Sequence, residues 1–168
     1  MFCGIIDFFS PTTSFRALRS MGEPYAGSMP CASAYLNGGV GLFTRNRDTF
    51  LTYPLTKTID GKSYTLMLEE NLDGVDAEGM ISCFSREGEH FLRSLVGNFS
   101  LALFDSNADV LYLIRGVGGT PIYFSGDIRL VFATSEEALA TFPERLFGIT
   151  CLRENSILKY DIQGVRFI

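Results

Sequence analysis

Histidine is nearly absent from this sequence. His90 is the one imidazole in 168 residues, and it sits in a helical pattern beside Phe91 and Leu92 with nothing local that marks it as partner to a thiol, which argues against a cysteine–histidine protease. Cysteine is sparse as well. Cys3, Cys31, Cys83 and Cys151 are scattered without a CxxC pair, the pattern of reduced intracellular thiols rather than of a disulfide framework or a zinc site. No apolar run approaches the roughly 18 residues that a membrane-spanning helix needs. No charged segment leads into an apolar one at the start, as a signal peptide would require. Lysine and arginine do not cluster and the net charge is −5, so a nucleic-acid backbone finds no neutralising surface. Repeats, low-complexity tracts and linkers are missing too. The expectation from these absences is a cytoplasmic protein with no nucleic-acid or membrane partner, no metal and no cofactor.

What is present is enough apolar material for a core. At 46% hydrophobic and 20% charged residues, a chain of this length suits one globular domain spanning residues 1–168. Its opening run, Phe2-Cys3-Gly4-Ile5-Ile6-Asp7-Phe8-Phe9, reads as a buried strand by length and aromatic enrichment. Cys3 admits two readings. Free cysteine is among the most buried residue types, so the thiol is core filler on one reading. On the other it is a nucleophile near the amino end, where an α-amino group titrating at about 7.7–8.0 would serve as its own base without a histidine.

Further along, Ser10-Pro11-Thr12-Thr13 supplies helix-start chemistry, and Phe15, Leu18 and Met21 at spacing three predict a short helix over 13–21. Residues 22–31 read as a loop. A hairpin follows, with strands over 33–36 and 40–44 about a glycine-rich turn. Arg45 and Arg47 at its exit are either a solvated face or the planar fork that grips a carboxylate. Strands are expected over 49–55 and 63–68, with Asp60-Gly61 turning between them. A helix begins near Asp76, which is its N-cap if nothing more; Met80, Ile81, Phe84, Phe91, Leu92 and Leu95 share one face of it. Strands then follow over 98–105, 110–115, 121–124, 129–133 and 157–162. The Gly116–Gly119 loop leads into a strand, not a helix, so it is read as a connection rather than a phosphate cradle. Thr134 with Glu137 forms a capping-box pattern for a helix over 135–141.

Several of these segments together resemble one family. Asp76-Ala77-Glu78, then Gly88, Phe91-Leu92, Leu95, Gly97 and Asn98-Phe99-Ser100-Leu101-Ala102-Leu103-Phe104-Asp105 resemble the middle of the class II glutamine amidotransferase domain of asparagine synthetases. Arg115, Pro121-Ile122-Tyr123-Phe124 and Phe132-Ala133-Thr134-Ser135-Glu136 continue the likeness. Cys3-Gly4-Ile5-Ile6 is similar to the family's amino-terminal Cys-Gly-Ile, and Asp60-Gly61 with Tyr64 to its Asn-Gly-Glu-x-Tyr-Asn stretch.

The resemblance implies an α+β, four-layer αββα sandwich of two antiparallel sheets, the N-terminal-nucleophile hydrolase fold. It also implies glutamine hydrolysis by Cys3, whose attack on the side-chain amide is assisted by its own amine. Asp76 matches the acid that pairs with the α-ammonium of glutamine. Arg45, with Arg47 as the alternative, matches the arginine on its carboxylate, and Gly61 with Asp60 matches the oxyanion pair. Ammonia would pass to a separate synthetase-type or ATP-dependent ligase partner, and a face lacking that partner would be covered by self-association.

Four positions depart from the family pattern. Phe2 stands ahead of Cys3, so the thiol has a free amine only if Met1-Phe2 is removed. Asp60 replaces an amide donor by a carboxylate. An Arg-Gly-Pro-Asp motif survives only as Met21-Gly22-Glu23-Pro24, and Gly116 follows Arg115 where an aspartate is usual. The alternative implied by these departures is a catalytically inactive scaffold or binding subunit on the same fold.

Overall fold

The computed structural model describes residues 1–9, 15–47, 53–69, 76–126 and 129–168. The contacts group the chain into two compact units, Met1–Pro54 with Pro121–Cys151 and Leu55–Thr120 with Leu152–Ile168. Each is built on a six-stranded antiparallel sheet.

In the first unit the strands are β1 (Phe2–Ile6), β2 (Cys31–Asn37), β3 (Val40–Asn46), β8 (Tyr123–Gly126), β9 (Leu130–Ala133) and β10 (Thr150–Cys151), in the order β10-β8-β9-β1-β3-β2. The opening strand is shorter than its apolar run. It ends at Ile6, and the carboxylate of Asp7 accepts the backbone N–H of Phe9 at 3.0 Å, a local turn that leaves the Phe9 ring in solvent. Helix α1 (Phe15–Gly22) buries Ala17, Leu18 and Met21, whereas Phe15 is exposed. The start of the expected 13–21 helix, with its Ser10–Thr13 signal, lies outside the described residues. A single 3-10 turn over Glu23–Tyr25 interrupts the expected loop. Helix α4 (Glu136–Ala140) packs Ala138 and Leu139 into the same core as Cys3, Ile5, Leu18, Met21 and Phe43.

The capping box predicted for α4 does not form. Ser135 is the N-cap, but its side chain makes no capping hydrogen bond and instead accepts from the Tyr25 hydroxyl. The hydroxyl of Thr134 is instead committed to the first strand, accepting the backbone N–H of Phe2 at 3.1 Å while the Thr134 N–H donates to the Phe2 carbonyl at 2.9 Å. A strand partner outcompeted the helix end for that oxygen.

The second unit holds β4 (Leu55–Ile59), β5 (Lys62–Glu69), β6 (Ser100–Asp105), β7 (Val110–Arg115), β11 (Ser156–Asp161) and β12 (Gly164–Phe167), in the order β12-β11-β7-β6-β5-β4. The strand expected over 49–55 falls mostly outside the described residues, and pairing begins at Leu55. The helix from Asp76 is two: α2 (Ala77–Glu87) and α3 (Glu89–Ser94) meet at Gly88. Met80, Ile81, Phe84 and Leu92 pack with Tyr64, Leu66, Phe99, Leu101, Leu103 and Tyr112. Helix α3 is also pinned by polar contacts: Glu89 accepts from Lys159 at 2.6 Å and from the Tyr112 hydroxyl at 3.1 Å. The short strands β10 and β12 had no periodic signal of their own. Among the described residues no helix is long and apolar enough to cross a membrane.

Candidate functional site

Cys3 lies one residue inside β1, between β3 and β9, opposite Phe43 on one side and Ala133 on the other. Hydrogen-bond parity fixes where its backbone points. Arg45 N–H donates to the Met1 carbonyl and Asp7 N–H to the Gly39 carbonyl, so odd-numbered residues of β1 bond to β3 and even-numbered ones to β9. The nitrogen of Cys3 is therefore an internal amide bonded toward Phe43, with Phe2 on its other side. Gly4 follows because nothing larger fits. A Cβ there would come within 2.4 Å of the Phe132 ring and 3.0 Å of Leu42.

The thiol of Cys3 is fully buried, 4.0 Å from the carbonyl of Leu18. Burial pushes its pKa up to about 12, against the opposing pull of two cationic groups, the amino group of Met1 and the Arg45 guanidinium. Desolvation wins, because a thiolate in an apolar pocket loses more hydration than distant cations return. A thiol held this way is a poor nucleophile.

Two residues stand between Cys3 and the amino end, and both are packed. Phe2 is 1% exposed, with its ring edge-on to Phe132 at 6.3 Å between centroids. Met1 is 8% exposed; its ammonium donates to the Arg45 carbonyl at 3.1 Å and approaches the Met29 sulfur at 3.6 Å.

Of the two candidate arginines, Arg45 turns inward and Arg47 is exposed. Arg45 Nη1 donates to the Met29 carbonyl at 3.3 Å, Nη2 lies 4.0 Å from a Glu23 carboxylate oxygen, and the guanidinium sits 5.8 Å from the centroid of the Phe43 ring. Its Nε is buried with no hydrogen-bond partner among the described residues. Glu23 itself is half-exposed and also pairs with Arg19 at 3.1 Å. Neither Glu23 nor Met29 was singled out as an Arg45 partner from the sequence; the one signal was the Gly22-Glu23-Pro24 remnant.

The remaining candidates belong to the second unit. Asp76 is the N-cap of α2, and its Oδ1 accepts the Gly79 N–H at 2.5 Å. Asp60 and Gly61 are the two loop residues of the β4–β5 hairpin, in which Ile59 faces Lys62. Both have positive φ, 51° and 77°, as the tight turn that matches strand twist requires; aspartate and glycine are residues that tolerate it. Cys3, Arg45 and the chain's amino group are thus gathered in the first unit, and Asp76, Asp60 and Gly61 are carried by the second. His90 is exposed on α3. No cluster of side chains able to hold a metal occurs among the described residues.

A sequence profile described as a glutamine amidotransferase domain matches residues 55–141, just over half of the chain. No curated protein matches it. Among solved structures, the chain is similar to a glutamine phosphoribosylpyrophosphate amidotransferase from B. subtilis complexed with ADP and GMP, with a TM-score of 0.73 at 12% identity. That likeness covers 99% of this chain and 48% of the other. A structure titled as the allosteric regulatory enzyme of purine biosynthesis gives a TM-score of 0.59 at 14% identity, covering 99% and 42%. The chain thus spans about half the length of these proteins or less. The fold is the expected α+β one, that of the N-terminal-nucleophile hydrolases, with two antiparallel sheets. By the profile across its middle and the fold along its length, the chain belongs to the glutamine amidotransferase domain family.

Proposed function

We propose that this chain is a glutaminase held in a capped state, in which hydrolysis of glutamine at Cys3 awaits removal of Met1-Phe2. The observation that carries the reading is the grouping at the head of β1. The thiol, the chain's amino group and an inward-turned arginine lie in one unit, with both cations acting on the sulfur. Once Cys3 leads the chain, its nitrogen becomes an amine able to take the thiol proton. Sγ then attacks the amide carbon of glutamine, ammonia leaves with that proton, and water releases glutamate from the thioester. Arg45 holds the α-carboxylate. The ammonia goes to a separate synthetase or ATP-dependent ligase of the asparagine synthetase type.

A second reading rests on its own observation. Met1 and Phe2 are core residues here, nearly inaccessible and hydrogen-bonded into the sheet, as they would be in a subunit that keeps the fold as a scaffold and never exposes the thiol.

The test is to release the same chain from a fusion so that it begins at Cys3, and to measure glutamate production beside the full-length form. The capped glutaminase predicts activity only in the shortened form and its loss in Cys3→Ala. Absence of activity in both forms overturns it in favour of the scaffold.

A further inference from the structure

Exposed sheet edges offer unpaired N–H and C=O groups to other strands, and proteins blunt them with charge or brevity. Among the described residues the two sheets have four edges, and three of them are blunted. β4 carries Lys57, β12 carries Arg166, and β10 is two residues long. β2 has neither protection. It is seven residues, Cys31-Ala32-Ser33-Ala34-Tyr35-Leu36-Asn37, and no charged side chain occurs from Pro30 to Thr44 in a chain whose composition is one-fifth charged.

Parity determines which groups this edge presents. Odd-numbered residues of β3 bond to β1, so Val40, Leu42, Thr44 and Asn46 bond to β2, through Asn37, Tyr35, Ser33 and Cys31. The N–H and C=O groups of Ala32, Ala34 and Leu36 therefore point away from the sheet. All three residues are exposed, and none has a backbone partner beyond the strand among the described residues.

We propose that β2 is a self-association edge, at which two copies of this chain pair their β2 strands antiparallel about a twofold axis through Ala34. That register sets Ala34 against the Ala34 of the second copy, and Ala32 against its Leu36. The three outward residues of each strand then form alternate bonded pairs, about six main-chain hydrogen bonds in all. One face of the junction carries only alanine and leucine, the other Ser33 against Tyr35 and Cys31 against Asn37. A strand that pairs with itself must tolerate its own side chains opposite, and like charges facing each other are destabilising. An uncharged strand with small residues at its centre meets that condition. The proposal rests on β2 alone and holds whether or not Cys3 becomes active.

The experiment is sedimentation equilibrium of the full-length chain across micromolar concentrations, with Ala34→Lys and Ala34→Glu alone and mixed. Ala34 is exposed, and circular dichroism checks that each variant is folded. The wild type is expected to be dimeric. Each charged variant alone should weaken the dimer at least about tenfold, and their mixture should restore it, because lysine then faces glutamate across the axis. Lost folding would not be restored by mixing. A monomeric wild type, a dimer indifferent to both substitutions, or a mixture that stays monomeric overturns the proposal; ion pairing that restores a dimer establishes both occupant and register.

Discussion

Alkylation of the four cysteines in the native full-length chain would measure how firmly the amino end is capped. Only thiolate reacts, so rate follows its fraction. At pH 8 an ordinary thiol, titrating near 8.5, is about one-quarter ionised, whereas one titrating at about 12 is ionised to roughly one part in ten thousand. Cys3 should therefore label about three orders of magnitude more slowly than such an ordinary thiol, before any penalty for the reagent's access. Peptide mass spectrometry after iodoacetamide resolves each site, and the difference should vanish in denaturant. The same burial gives stability a pH dependence of fixed sign. Because the folded thiol titrates above the unfolded one, its contribution is fully present below about 8.5 and falls as pH rises toward 12. About 2 kcal/mol is lost by pH 10. Tyr112, pushed up chiefly by burial and then by the charge of Glu89, adds its own loss only above its ordinary value near 10. Native labelling of Cys3 at a rate like that of an ordinary thiol would refute the capped geometry outright.

Gly4→Ala drives a methyl group into the Phe132 ring and should cost about 1–3 kcal/mol, seen as a lower urea midpoint with unchanged slope. Asp76→Asn separates two roles, since asparagine caps helices as well as aspartate does. Thermal stability should hold within a few tenths of a kcal/mol in Asp76→Asn and fall by about 1 kcal/mol in Asp76→Ala, which tells the side-chain acceptor at the cap from its charge.

Much of this architecture was legible because local chemistry and tertiary context agreed. Asp60-Gly61 and Gly38-Gly39 are turns by residue type and remain so in the fold, and Asp76 caps a helix exactly where its hydrogen-bonding habit suggests. What was illegible depended on partners distant in sequence. The Thr134 hydroxyl looked like a helix cap until β1 claimed it from 132 residues away. Phe15 fitted the apolar spacing of α1, yet it stands at the first position of the helix and stays exposed while Leu18 and Met21 on the same spacing are buried. At the site, spacing put Arg45 and Arg47 on equal terms, since alternation sends both to one face; β3 ends at Asn46, so only the first is held in the strand and buried. The burial of Met1 and Phe2 had no signal beyond their hydrophobicity.

The way the chain threads its two units has a practical corollary. The stretch recognised by similarity, residues 55–141, contains β9 without β1, β8 without β10 and β7 without β11. Excised for expression, it would present three raw strand margins and, beside nearly all of the second unit's core, only about a third of the first's, so a boundary drawn by sequence likeness here marks ancestry rather than an autonomous folding piece.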